Sequence, residues 1–506
     1  MEIRSQTLAR NTLLNFIGQV LPLLAGLVAL PLIIHGLGTD RFGILSLAWV
    51  ILGYFSVFDL GLGRATTKYV AEALGIGNED QVPGIVWTAV TVQGILGAAG
   101  SLIVLAVTPV IVERILNIPA GLIEETKETF SLLAISVPLI LVSSSFSGAL
   151  EAAQKFDLVN AVRVPSSLLS FLIPLLGLAL GYRLPGIVLL IALSRCLSLI
   201  ALVMLALRVF PALHKYSTHV SLFMKLLKFG GWVSVSSIAG PVINYLDRFL
   251  IGSFLTMTTV AYYSAPFDIM TRIWIIPGSL VMTLFPAFSA LGMARKEDLQ
   301  AVFVRSIKYL LLSTGPIILV LMVFSSQLLD LWLGADFAQQ SSFTFQILLL
   351  GAFIGLLAPV SGALLQGLGR PELLSKLYLI EIPLNVVVVW ILVQKMGIVG
   401  AAISFAVRAA IETVILFFLS SKLLSFRFHF ALDNGLARAV VMLGFLAVLL
   451  LMVSLTKVII LQISLVIALI LTFMFMAWAY VFDEKDKKIF ASMTEKLLSL
   501  MRIARG

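Results

Sequence analysis

The chain has 506 residues, 60% of them hydrophobic and 12% charged, with a formal net charge of +9. Soluble domains carry about 25% charged residues, so this balance excludes a soluble domain on an anchor. Continuous apolar runs such as VLPLLAGLVALPLIIHGL exclude a β-barrel, whose strands alternate apolar and polar residues. The positive charge does not point to nucleic acid, because the basic residues sit in short loops between apolar runs, where they set membrane orientation.

Fourteen apolar segments are predicted as spanning helices, at roughly 12–36, 43–61, 84–112, 129–150, 158–181, 185–209, 229–253, 260–288, 306–333, 341–366, 373–395, 398–421, 436–456 and 459–481. The longest linkers, about 64–83, 113–128, 210–228 and 289–305, are too short to hold a folded soluble domain. The start, MEIRSQTLARNTLLNF, has no small-residue cleavage site after its apolar run and reads as a retained first helix. The single cysteine, Cys196, excludes an internal disulfide and a multi-cysteine metal site. His35, His214, His219 and His429 are scattered, and no cofactor or metal is expected.

The expected fold is an all-α polytopic membrane protein of about 14 helices. An N-terminal lobe (1–210, helices 1–6) is followed by a basic cytoplasmic linker (211–228) and a C-terminal lobe (229–424, helices 7–12). Helices 13–14 (425–482) and a tail (483–506) complete the chain. In the tail, Ile489, Phe490, Met493, Leu497, Leu500 and Met501 recur at helical spacing. That pattern suits an amphipathic helix on the inner leaflet, and equally a helix standing in solvent. With the N-terminus inside, 25 of the 35 Lys and Arg residues fall in inner loops and tails and six in outer loops. This bias predicts a cytoplasmic (inner) membrane protein with both termini cytoplasmic.

Internal similarity supports two halves. SGALEAAQKFDL (147–158) resembles SGALLQGLGRPELL (361–374), LPGIVLLIALSR (184–195) resembles GIVGAAISFAVR (397–408), and LGTDRFGILSLAWV (37–50) loosely resembles FLTMTTVAYYSAPF (254–267). An even number of helices per repeat keeps direction, so the halves are predicted to be parallel repeats, a plan found in transporters.

A wider resemblance rests on LGTDRFGILSLAWVILGYFSVFDLGLGRATTKYVAE (37–72), YLDRFLIGSF (245–254), VAYYSAPFDI (260–269) and LFPAFSAL (284–291). In order and spacing these resemble the polysaccharide (lipid-linked oligosaccharide) flippases of the multidrug/oligosaccharidyl-lipid/polysaccharide exporter superfamily. The resemblance implies a two-lobed, alternating-access transporter without ATPase domains. It would move polyprenyl-diphosphate-linked sugars from the inner to the outer leaflet for cell-surface polysaccharide synthesis. The implied partners are the lipid-linked oligosaccharide, membrane lipids and polysaccharide assembly proteins. Fourteen helices match the peptidoglycan-precursor flippases, whereas many sugar flippases have twelve, so the substrate stays open.

Ionisable groups inside a bilayer are costly and need a partner or a wet cavity. Arg195, Arg272 and Arg408 are expected near mid-depth and are the candidate anion contacts, since a guanidinium offers phosphate a planar fork of donors. Asp247, Arg248, Asp268 and Glu412 are candidates for an ion-pair or gate network. Arg248 is predicted to reach Asp268 on the next helix, with snorkelling of Arg248 to headgroups as the alternative. Arg408 and Glu412 are i,i+4 on one face. Glu381, before Pro383, is a candidate coupling acid or a packing residue. Asp59, Arg64 and Lys68 are placed at the inner interface. Two other readings remain: a multidrug cation antiporter, which would favour acids in its cavity, and a membrane glycosyltransferase or polymerase, which would need a larger outer loop. No G-x-x-x-x-G-K-[ST] phosphate loop is present.

Overall fold

A computed structural model describes residues 21–22, 24–55, 61–219, 222, 245–291, 296–425, 435–456, 458–484 and 486–487. The described residues are mostly helical, with no strand among them. In chain order they form α1 (Leu24–Leu37), α2 (Thr39–Phe55), α3 (Leu62–Gly75), α4 (Val82–Val110), α5 (Ile123–Ala152), α6 (Phe156–Ala179) and α7 (Leu184–Val209). Then come α8 (245–254), α9 (Met257–Ile273), α10 (Ile275–Leu291), α11 (Lys296–Val323), α12 (Ser325–Leu333), α13 (Ala335–Gly355) and α14 (Ala358–Gly367). The stretch Pro371–Leu424 is broken at Gly397 (φ 60°, ψ −138°) into α15 (371–396) and α16 (398–424). Leu436–Ser454 (α17) and Ile459–Met476 (α18) complete the order. Nine helices among the described residues are long and apolar enough to cross a membrane.

Several apolar runs are interrupted. The run 260–288 divides at Trp274, 306–333 at Phe324, and 341–366 between Gly355 and Ala358. The segment 64–83, expected as a linker, instead begins with α3. Leu62, Ala65, Thr66, Val70 and Ala73 form its buried stripe, while Arg64, Lys68 and Glu72 are exposed. A stripe at this spacing marks a helix even where mean hydropathy is low. Val70 and Ala73 join Val86, Leu150, Val159 and Ala206 in a core that ties α3 to α4, α5, α6 and α7. Gly148 permits this approach: a Cβ there would stand 2.6 Å from the Gly63 carbonyl oxygen.

The repeated SGAL segments build the same turn. At the end of α5, the Gln154 amide donates to the Glu151 carbonyl (2.9 Å) and the Lys155 amide to the Leu150 carbonyl (3.0 Å). After α14, the Gly369 amide donates to the Gln366 carbonyl (3.0 Å) and the Arg370 amide to the Leu365 carbonyl (2.9 Å). Both are Schellman caps, which need a left-handed residue; Gln154 has φ 60° and Gly369 φ 75°.

Two compact units divide the chain: Met1–Ala265 with Ile382–Ile398, and Pro266–Glu381 with Val399–Gly506. The chain passes between them at three places, each inside a helical stretch. Each crossing adjoins a helix-weakening residue: Pro266 in α9, Pro383 in α15, and Gly397 between α15 and α16.

Candidate functional site

In the first unit, α5, α6 and α7 enclose a cleft of about 230 Å³. α7 contributes Arg195 and Ser198, α6 contributes Arg163, Ser166, Ser167 and Ser170, and α5 contributes Ser143 and Ser147. The spacing explains the convergence. Residues 163, 166, 167 and 170 occupy one face of α6, as 143 and 147 do on α5 and 195 and 198 on α7. Arg195 has no ion-pair or hydrogen-bond partner among the described residues, whereas Arg163 pairs with Glu151 at 2.7 Å.

In the second unit, Arg408 is enclosed by acids. Its Nη1 lies 3.2 Å from Glu412 Oε2 and 3.7 Å from Glu381 Oε1. Tyr378 Oη donates to Glu412 Oε1 at 3.3 Å. The Arg408 guanidinium also stacks 5.4 Å from the Phe405 ring centroid. Glu381 is only 7% exposed, and neither of its carboxylate oxygens accepts a hydrogen bond. Two carboxylates thus share one guanidinium in a buried site. Arg195 and Arg408, placed alike in the sequence repeat, have opposite surroundings: Arg195 faces serines and Arg408 faces glutamates.

A third group lies where α8 meets α9. Asp247 and Arg248 are 3% and 4% exposed, so Arg248 does not snorkel to a headgroup layer. Asp247 Oδ2 accepts a hydrogen bond from Tyr263 on α9 at 2.8 Å. The turn itself is fastened to α2 and to the loop that follows α4. Thr258 donates to Asp40, the Asn117 amide donates to the Gly252 carbonyl (2.9 Å), and Asn117 Nδ2 donates to the Ser253 carbonyl (3.0 Å). Gly43 meets this turn so closely that a Cβ would stand 2.0 Å from the Met257 carbonyl oxygen. Beside it, Arg41 forms a two-pronged bond to Glu125 (2.9 and 3.0 Å), and Glu125 also accepts from the Leu184 amide.

Asp268 and Arg272 are half-buried on α9 in the second unit, with Arg272 two residues before the break at Trp274. Arg64 and Lys68 lie on the exposed face of α3, where Lys68 pairs with Glu72 at 3.8 Å. Asp59 and the tail segment 488–506 lie outside the described residues.

Two buried polar groups escape a reading of sequence alone. Gln93 on α4 donates to Ser144 (2.8 Å) and accepts from Ser145 (2.5 Å), bridging α4 to α5. Lys308 and Asp486 form a fully buried ion pair; Tyr309 donates to Asp486 at 2.6 Å, and Arg305 approaches the same carboxylate at 3.4 Å. Arg305 ends the linker expected at 289–305 and Lys308 begins the run 306–333, but α11 begins at Lys296 and carries both. Asp486 is 178 residues from Lys308, beyond any local spacing rule.

The polysaccharide biosynthesis protein family matches residues 8–291, more than half of the chain. The chain belongs to this family. A second family, MatE, matches residues 233–391 of the same family member. A Shigella flexneri protein assigned as an O-antigen transporter is 26% identical over 422 residues, 83% of this chain and 99% of that one. Among solved structures, the lipid II flippase MurJ in an inward closed conformation aligns with TM-score 0.73 at 12% identity, covering 93% of this chain and 99% of that one. An inward-facing multidrug resistance MATE transporter of the MOP superfamily aligns with TM-score 0.70 at 16% identity, covering 80% and 94%. This polysaccharide biosynthesis protein therefore has the all-helical fold of those transporters and is a multi-pass membrane protein.

Proposed function

We propose that this protein flips a polyprenyl-diphosphate-linked oligosaccharide from the cytoplasmic to the outer leaflet, as a transporter rather than an enzyme. The observation that carries the reading is Arg195: a guanidinium without an acid partner among the described residues, in a cleft where serines alternate with Leu139, Ile140, Val159, Val162 and Leu202, in a chain from the polysaccharide biosynthesis family. A lone cation inside a membrane helix favours an anion as its ligand. The basic ends of the helices face the cytoplasm in this reading, and the protein sits in the inner membrane with both termini inside. The fastened α8–α9 turn is then the outer gate, in its closed state, and Arg272 is a further candidate contact for the diphosphate.

The Glu381–Arg408–Glu412 group fits energy coupling better than diphosphate binding. Two carboxylates against one guanidinium leave a formal negative charge in a buried place. A proton or monovalent cation would neutralise it, and Glu381 is the acid we assign to that role. Multidrug cation export is the second reading, supported by the MatE match over residues 233–391 and by this same acid excess.

Depletion of the protein, followed by leaflet-specific labelling of lipid-linked sugar, tests the proposal. Accumulation in the inner leaflet is the expected result. Unchanged leaflet distribution, together with loss of organic-cation export, would select the second reading.

A further inference from the structure

The cleft of the first unit holds more than one cation; its hydroxyls are arranged in a graded column. A helix rise of about 1.5 Å per residue gives the levels. Measured by that rise from the start of α6, Arg163 lies at about 10 Å, Ser166 and Ser167 at about 15–17 Å, and Ser170 at about 21 Å. Measured from the neighbouring end of α7, Ser198 lies at about 16 Å and Arg195 at about 21 Å. Arg195 and Ser170 thus share the deepest level, near that of Leu139 and Ile140 on α5; Ser147 and Arg163 lie toward the mouth, and the other hydroxyls lie between. Because Arg163 is paired with Glu151, the deep guanidinium is the one with charge to offer.

The hydroxyls divide into two kinds. Ser143, Ser170 and Ser198 donate to the carbonyls of Leu139, Ser166 and Ser194 on their own helices. Their protons are engaged, so their outward lone pairs accept. Ser147, Ser166 and Ser167 have no side-chain hydrogen bond among the described residues, and keep a donor as well. A ligand matched to this column carries an anionic group beside several hydroxyls that both donate and accept. That is the chemistry of a sugar attached to a phosphate ester.

We infer that the α5–α6–α7 cleft is a subsite for the first, phosphate-bound sugar of the substrate, with Arg195 on a phosphate oxygen and the serine band on the sugar hydroxyls. The inference rests on the flippase reading and sharpens it: the sugar next to the phosphate, not only the diphosphate, is recognised. A phosphoglycerol lipid headgroup shares this chemistry, so the test separates the two sources.

The full chain is placed in phosphatidylcholine nanodiscs, and binding of polyprenyl diphosphate and of polyprenyl diphosphate-linked hexose is measured. The expected result for Ser166→Ala/Ser167→Ala/Ser170→Ala is a loss of about tenfold or more for the hexose-bearing probe, with the bare diphosphate bound as by the wild type. Arg195→Gln weakens both probes, and Arg195→Lys recovers part of that loss. Alanine is favourable in helices, so the triple variant folds; a wild-type elution profile checks this. Binding of the hexose-bearing probe by the triple variant as tight as by the wild type, or an equal loss for both probes, overturns the subsite while leaving the flippase reading intact. Competition by phosphatidylglycerol as strong as by the hexose-bearing probe assigns the cleft to a headgroup and also overturns it. Failure of the wild-type protein to bind either probe overturns the flippase reading together with the subsite.

Discussion

Gln154 and Gly369 hold the same position in two copies of one helix cap, and only one of them is a glycine. The left-handed conformation costs a residue with a side chain about 1–2 kcal/mol. Gln154→Gly is therefore expected to stabilise the first unit by up to about 1 kcal/mol, and Gly369→Gln to destabilise the second by a similar amount. Thermal unfolding in detergent should move in opposite directions for the two variants.

Arg408 is the only cation the Glu381–Glu412 pair contacts among the described residues. Removing one partner of a buried ion pair costs about 3–5 kcal/mol. Arg408→Gln is expected to lose that much stability, whereas Glu381→Gln, which leaves the Arg408–Glu412 bond in place, should unfold close to wild type. If Glu381 couples transport, Glu381→Gln should also make uptake into proteoliposomes insensitive to an imposed ion gradient. Retained gradient dependence would remove Glu381 from that role.

Gly43 has no room for a methyl group against the Met257 carbonyl. Gly43→Ala is expected to push α9 from α2 and loosen the Asp40–Thr258 and Asn117–Gly252 bonds. In a Cys196→Ala background, Ser253→Cys should then react several times faster with a membrane-impermeant maleimide applied outside. An unchanged labelling rate would mean that the fastening does not gate this end.

Asp486 neutralises a lysine with no exposed surface. Asp486→Asn leaves Lys308 charged and buried, and should cost about 3–5 kcal/mol. The double change Lys308→Met/Asp486→Leu replaces the pair with apolar groups and should recover most of that loss. The melting temperatures of the wild-type, single and double variants check this directly.

Much of this architecture is visible in the order of residues, for definite reasons. Long apolar runs have few alternatives to helices in a membrane, and the SGAL repeat carries its cap chemistry locally. Arg408–Glu412 is legible because one helical turn separates them. α3 is not found by a hydropathy window, because its buried stripe alternates with Arg64, Lys68 and Glu72; a search at helical period finds it. The breaks at Trp274 and Phe324 have no proline or glycine at the break itself, so nothing local announces them. The environment of Arg195 is not legible either. Its serines lie on three helices, and only packing shows that their polar faces meet each other rather than lipid.

The three crossings between the compact units, beside Pro266, Pro383 and Gly397, decide how this chain can be cut and rejoined. In most two-part proteins the halves are joined by exposed loops, which accept insertions and proteolytic nicks. Here each join is a helical stretch already short of a backbone hydrogen bond or relaxed by a glycine. An inserted residue would rotate everything beyond it by about 100°, turning lipid-facing side chains toward the interior. The halves are therefore expected to resist circular permutation and split expression at these joins, and length variation is expected to collect in the turns at the helix ends.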